Sequence, residues 1–214
     1  MRTLSVKQAF LKKFKTFEFD GIWKEVMNNP ETTGGWIIYG DEKQGKSTFA
    51  IMLANYLTKF GKVLYISAEE GVSQHFISVM GRMGVDVNNQ KLKLLDGYQE
   101  WADLEERFKK RQCPKIIFID NITVYRDEMS KADLKRILIE HKDKLIIWVS
   151  HEERKEPDSA QGKFWKKMSK IIVRVLGQNA IVDGRCTGGN LVIDEDRAML
   201  YHNSNIGKNQ EATN

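Results

Sequence analysis

Apolar residues fall in short blocks along this chain, separated by amphipathic stretches of helical length. From residue 35 onward the blocks are 36–39, 63–66, 92–95, 116–119 and 145–149. Each is nearly continuous and rich in β-branched or aromatic residues, the pattern of strands buried on both faces of a parallel sheet. Helical candidates fill the gaps at 47–60, 73–83, 100–112 and 131–142. This alternation predicts right-handed βαβ crossovers and a three-layer α/β/α domain with a mainly parallel sheet. After residue 165 the rhythm changes. Short strand candidates at 171–176, 179–183, 191–193 and 199–202 are joined by turns such as Asp183-Gly184 and Thr187-Gly188-Gly189-Asn190. They predict antiparallel strands closing one edge of the sheet.

The 214 residues, 41% hydrophobic and 29% charged, suit one soluble domain with a sizeable core. That domain is expected over 35–203, after a helical lead-in at 1–34 that ends in the Pro30 to Gly35 breaker cluster. A polar tail, 204–214, is expected to be disordered. In the lead-in, Phe10, Phe14 and Phe17 have helical spacing and suit either a flap packed on the core or an oligomerisation arm. No apolar run approaches the ~18–20 residues of a membrane span. Residues 1–19 are basic without a continuous apolar segment, so no secretory leader is expected. Cys113 and Cys186 lack metal-ligand spacing, which argues against a disulfide framework or a zinc site and for a cytoplasmic setting. A net charge of +5 permits a polyanionic partner without requiring one.

The chemistry concentrates at strand ends. Gly40-Asp41-Glu42-Lys43-Gln44-Gly45-Lys46-Ser47-Thr48 fits G-x-x-x-x-G-K-[ST], with a strand candidate before it and a helix candidate after it. Gly40 and Gly45 let successive backbone N–H groups turn inward around phosphate oxygens. Lys46 brings a point charge to the β- and γ-phosphates of ATP, Ser47 a hydroxyl for Mg²⁺, and the helix its positive end. Asp120 closes the hydrophobic run 116–119 and would sit at the carboxyl edge of the sheet, where an acid can hold the Mg²⁺.

Two further strand ends carry polar groups. Glu69, in Ser67-Ala68-Glu69-Glu70, suits a carboxylate that polarises the attacking water, or an acidic cap of the next helix. His151, after Val149-Ser150, suits a γ-phosphate sensor or an ordinary surface histidine. The segment 152–167 reads as a polar loop in which Arg154, Lys155, Lys163, Lys166 and Lys167 accompany Phe164 and Trp165. Lysines against phosphates and rings against bases would suit single-stranded DNA; equally, the rings could pack on the core.

Taken in order, these motifs resemble the RecA/RadA/KaiC/DnaB-type branch of P-loop ATPases over about residues 34–200. Ser67-Ala68-Glu69-Glu70 is similar to the segments that carry the catalytic glutamate in RadA and RecA, which implies Glu69 as general base. Val149-Ser150-His151 resembles the strand end bearing the family's γ-phosphate sensor, usually glutamine, so His151 is a departure. Asp120 is followed by Asn121 and not by glutamate, unlike most AAA+ proteins. In size the chain resembles compact phage and mobile-element members linked to recombination and single-strand annealing. The resemblance implies an ATP- and Mg²⁺-dependent ATPase acting on DNA in the cytoplasm of a bacterial or phage-infected cell. It also implies a homo-oligomeric ring or filament, with Lys163, Lys166, Lys167 or Arg174 reaching a neighbouring subunit's site. A small-molecule or nucleotide kinase and a KaiC-like ATP-switched module are the alternatives.

Overall fold

Each continuous apolar block becomes a strand and each amphipathic gap a helix. The computed structural model describes residues 3–199 and Tyr201. In chain order the elements are α1 (Val6–Phe10), α2 (Gly21–Met27), β1 (Gly34–Gly40), α3 (Lys46–Leu57), β2 (Val63–Ser67) and α4 (Gln74–Arg82). There follow β3 (Leu92–Asp96), α5 (Trp101–Lys109), β4 (Ile116–Asp120), α6 (Lys131–Glu140) and β5 (Leu145–Glu153). The chain continues through β6 (Glu156–Pro157), α7 (Ala160–Met168), β7 (Ile171–Leu176), β8 (Asn179–Gly184) and β9 (Gly189–Val192). The sheet order is β3-β2-β4-β5-β1-β7-β8-β9, with β6 paired to β5 alone. Strands β3 to β7 in that order run parallel, and β8 and β9 add antiparallel at the far edge.

Period-two alternation divides the strands between two cores. Trp36 and Ile38 of β1 face a cluster built on α3 with Phe17, Phe19 and Trp23 of the lead-in. Ile37 and Tyr39 face the opposite cluster, with Trp101, Leu104, Leu134 and Trp165 from α5, α6 and α7. The helices thus cover both faces, giving three layers. None of the helices among the described residues is long and apolar enough to cross a membrane.

Three expectations are corrected. β3 is not buried on both faces: it forms the free edge of the sheet and Lys93, Leu94 and Asp96 are exposed. The stripe of Phe10, Phe14 and Phe17 is not one helix. α1 stops at Phe10, which is 87% exposed, and only Phe17 reaches the core. Residues 195–199 and Tyr201 are helical, where a strand over 199–202 was expected. Asp194 starts that turn, its carboxylate accepting from the Arg197 N–H at 3.1 Å and its carbonyl from the Ala198 N–H at 2.9 Å. The tail 204–214 lies outside the described residues.

Candidate functional site

The loop between β1 and α3 has little room for side chains. A Cβ at Gly40 would collide with the Val175 carbonyl of the adjacent β7. Gly45 caps α3 in a left-handed conformation, φ +102°, and a Cβ there would lie 2.6 Å from Gln178 Oε1. The β7–β8 turn clamps the loop from the side. Gly177 N–H donates to Gln44 Oε1 at 2.6 Å, and Gln178 N–H donates to the Gln44 carbonyl at 3.1 Å.

Lys46 is buried, and its ammonium donates to the Asp41 carbonyl at 2.7 Å. Burial lowers its pKa below the usual lysine value, against the attraction of Asp120, Asp41 and Glu69. Asp41, Glu42 and Lys43 form the exposed outer rim, while Ser47 and Thr48 begin α3 half-buried. Beyond Lys43, Gly45 and Thr48 opens a cleft of about 310 Å³, with His75, Arg82, Gln178 and Arg197 on its walls. None of those four stood out in the sequence, because His75 and Arg82 on α4 meet Gln178 and Arg197 only through the fold.

Asp120 ends β4 beside the loop. Its carboxylate accepts from the Tyr65 hydroxyl at 2.8 Å. Burial raises its pKa, and the hydroxyls of Tyr65 and Ser47 oppose that shift by favouring the charged form. Ser47 and Asp120 therefore present hydroxyl and carboxylate oxygens together. This hard-oxygen donor set fits Mg²⁺, which takes few protein ligands and keeps much of its water.

Glu69 stands across from Asp120. The Ala68 and Glu69 N–H groups both donate to the Asp120 carbonyl, at 2.7 and 3.2 Å. One Glu69 oxygen accepts from the Asn121 side-chain amide, and the other lies 3.2 Å from His151 Nε2. Asn121 is fixed in turn, since its Oδ1 accepts from the Thr123 and Val124 N–H groups at 2.8 and 3.3 Å. The Asp120–Asn121 peptide is cis. Sequence reasoning passed over Asn121 because its importance comes from meeting Glu69 across adjacent strands, with Ser67 in register with Asp120.

The Glu69–His151 contact shifts both groups in opposite senses. Hydrogen bonding to His151 holds Glu69 below its ordinary value, and the same bond raises His151 against the penalty of burial. The stabilisation carried by His151 is therefore complete below about pH 6.5 and is lost as pH rises through its elevated folded pKa. The part carried by Glu69 is lost as pH falls through its depressed one. In a ¹H–¹⁵N titration, the midpoint of His151 is expected above about 6.5 and should move down in Glu69→Gln. An unshifted midpoint in that variant would disprove the pairing.

The segment 152–167 is a hairpin tip followed by a helix, where a polar loop was expected. Arg154 and Lys155 occupy the tip in left-handed conformations, at φ +53° and +67°. Lys163 and Lys167 are exposed on α7. Trp165 is fully buried, its indole N–H donating to the Trp36 carbonyl at 2.8 Å, and Phe164 packs against the same core. The rings thus pack inward and are not presented for base stacking. Lys166 is held by Glu156 at 2.9 Å and lies over the Tyr39 ring, and Arg174 forms a two-pronged pair with Glu152. Lys163 and Lys167 make no ion pair among the described residues.

No family model matches the chain, and no curated protein matches it. Among solved structures, it is similar to the flagellar accessory protein FlaH from Methanocaldococcus jannaschii. The TM-score is 0.58 at 18% identity, covering 84% of this chain and 92% of that one. It is also similar to the ATPase domain of G40P, with TM-score 0.56, 15% identity and coverage of 78% and 84%. Sheet order, phosphate-type loop and structural neighbours agree: the chain has the RecA-like P-loop ATPase fold.

Proposed function

We propose that this protein hydrolyses ATP with Mg²⁺ and couples turnover to single-stranded DNA, in recombination, annealing or repair. The observation that carries this is the convergence of Lys46, Asp120 and Glu69 at one sheet edge, with Glu69 held by both Asn121 and His151. The backbone N–H groups of the Gly40 to Thr48 loop bind the phosphates, and Lys46 neutralises the β- and γ-phosphate oxygens. Ser47 and Asp120 would hold a magnesium ion, which supplies charge stabilisation to the phosphoryl group.

Glu69 accepts a hydrogen bond from the attacking water and aligns it with the γ-phosphorus. Its lowered pKa keeps it ionised near neutrality, while burial pushes the Asp120 carboxyl the other way. Two neighbouring carboxylates with opposed shifts suit two separate tasks. His151 keeps Glu69 oriented and lies on β5 next to the loop, in register with Gly40. It is a positioning residue able to sense the γ-phosphate.

The DNA half rests on the family resemblance and on the free lysines of α7. A ring or filament of copies is consistent with the exposed Val6, Phe10, Leu11 and Phe14. Free cysteines fit a reducing compartment. Phosphate release is measured with and without single-stranded DNA. DNA-stimulated turnover is the expected result. Transfer of phosphate to an added acceptor would replace this function with a kinase, and slow DNA-indifferent turnover with an ATP-switched module.

A further inference from the structure

The amino edge of the sheet, opposite the nucleotide loop, carries a cleft of about 570 Å³ where β1, β2 and β4 begin. Thr33, Gly61 and Ile116 mark those strand starts on its walls. Lys15, Lys62, Arg111 and Lys115 line it, against Asp143 as its one acidic residue. Asp143 pairs with Lys115 at 3.5 Å, and Lys15, Lys62 and Arg111 make no ion pair among the described residues. By contrast, Arg136, Lys170 and Arg174 each have carboxylate partners. An unneutralised cluster in a concavity focuses potential on an anion.

The cleft also has an aromatic wall. Phe60 is 36% exposed, and its ring is held by Phe17 at 5.3 Å and Tyr56 at 5.6 Å between centroids. A second cleft shares Arg111, Lys115 and Asp143 and adds Lys109, Lys110 and Lys144 against Glu140, so the excess of basic residues continues around the 109–115 segment. Phosphates at intervals beside a fixed, partly open ring are what a single strand requires, since its bases have free faces to stack. A duplex keeps those faces covered, and a bilayer surface cannot enter a concavity with a recessed ring.

We propose that this amino-edge groove binds single-stranded nucleic acid, with Lys15, Lys62, Arg111 and Lys115 on phosphates and Phe60 against a base. The choice of a nucleic acid over other polyanions rests on the function proposed above; the groove itself does not. It lies at the other end of β4 from Asp120, roughly 13 Å away at the rise of a strand. Strand and nucleotide can therefore be bound together.

Binding of a fluorescein-labelled oligothymidylate is followed by anisotropy across a salt series, with ATP turnover measured in parallel. The double variant K62E/R111E is expected to weaken binding by at least about tenfold and to flatten its salt dependence. F60L should weaken it by roughly fivefold and leave the salt slope unchanged. Lys62 and Arg111 are exposed, so the fold should persist, and an unchanged melting midpoint checks this. The groove is overturned if wild-type protein does not bind the oligonucleotide, or if K62E/R111E binds as wild type does. It is equally overturned if K155E/K167E alone abolishes binding, or if phosphatidylserine vesicles but not oligothymidylate are bound. Groove-dependent binding without turnover would defeat the proposed ATPase and leave the groove standing.

Discussion

Replacing Glu69 with glutamine is expected to lower ATP turnover by about 10²- to 10⁴-fold while ATP still binds with near wild-type affinity. The substitution preserves shape and keeps one carbonyl oxygen that can accept from Asn121 or His151. It removes the second anionic oxygen, so the water loses the acceptor that orients it and takes up its proton. An interaction made with the reacting water appears in kcat and leaves nucleotide affinity in place. Steady-state phosphate release, paired with an equilibrium ATP titration, checks both halves. Turnover within a few-fold of wild type would eliminate Glu69 as the water-positioning group.

Lys46→Ala should act on the other half of the cycle. Removing a desolvated cation that faces charged phosphates costs about 2–5 kcal/mol, or roughly 30- to several-thousand-fold in Kd. Turnover falls with it. The ammonium also draws the Asp120 pKa down, so its loss raises that carboxyl further and weakens the metal pair as well. Calorimetric titration with ATP gives the loss directly, and circular dichroism separates it from unfolding. Near-normal ATP affinity in a folded variant would refute the placement of phosphates on this loop.

What could be read from the sequence depended on how local each feature was. The loop from Gly40 to Thr48 is one continuous segment, so its glycines, lysine and hydroxyls announce themselves together. Asp120 was legible because a carboxylate ending an apolar strand must emerge at a sheet edge. Asn121 was not, because it meets Glu69 across 52 positions and only where β2 and β4 are neighbours. Strand order is a property of the whole chain and leaves no local mark. Trp165 has the same composition whether it faces solvent or core, and only the carbonyl of Trp36 waiting beneath it decides the matter. β3 misled for the opposite reason, since an edge strand with one covered face can keep an apolar sequence.

The hold of the Gly177–Gln178 turn on Gln44 fixes when the nucleotide loop can be completed during synthesis. Those contacts join residues 133 and 134 positions apart. A nascent chain halted at residue 176 already possesses every residue from Gly40 to Thr48, together with Glu69, Asp120 and His151. It lacks the turn that braces the loop from the side. Closing so distant a contact comes late, because the entropy of a long loop must be overcome before the contact exists. ATP affinity should thus emerge only as the β7–β8 hairpin leaves the ribosome, and not when the loop itself does.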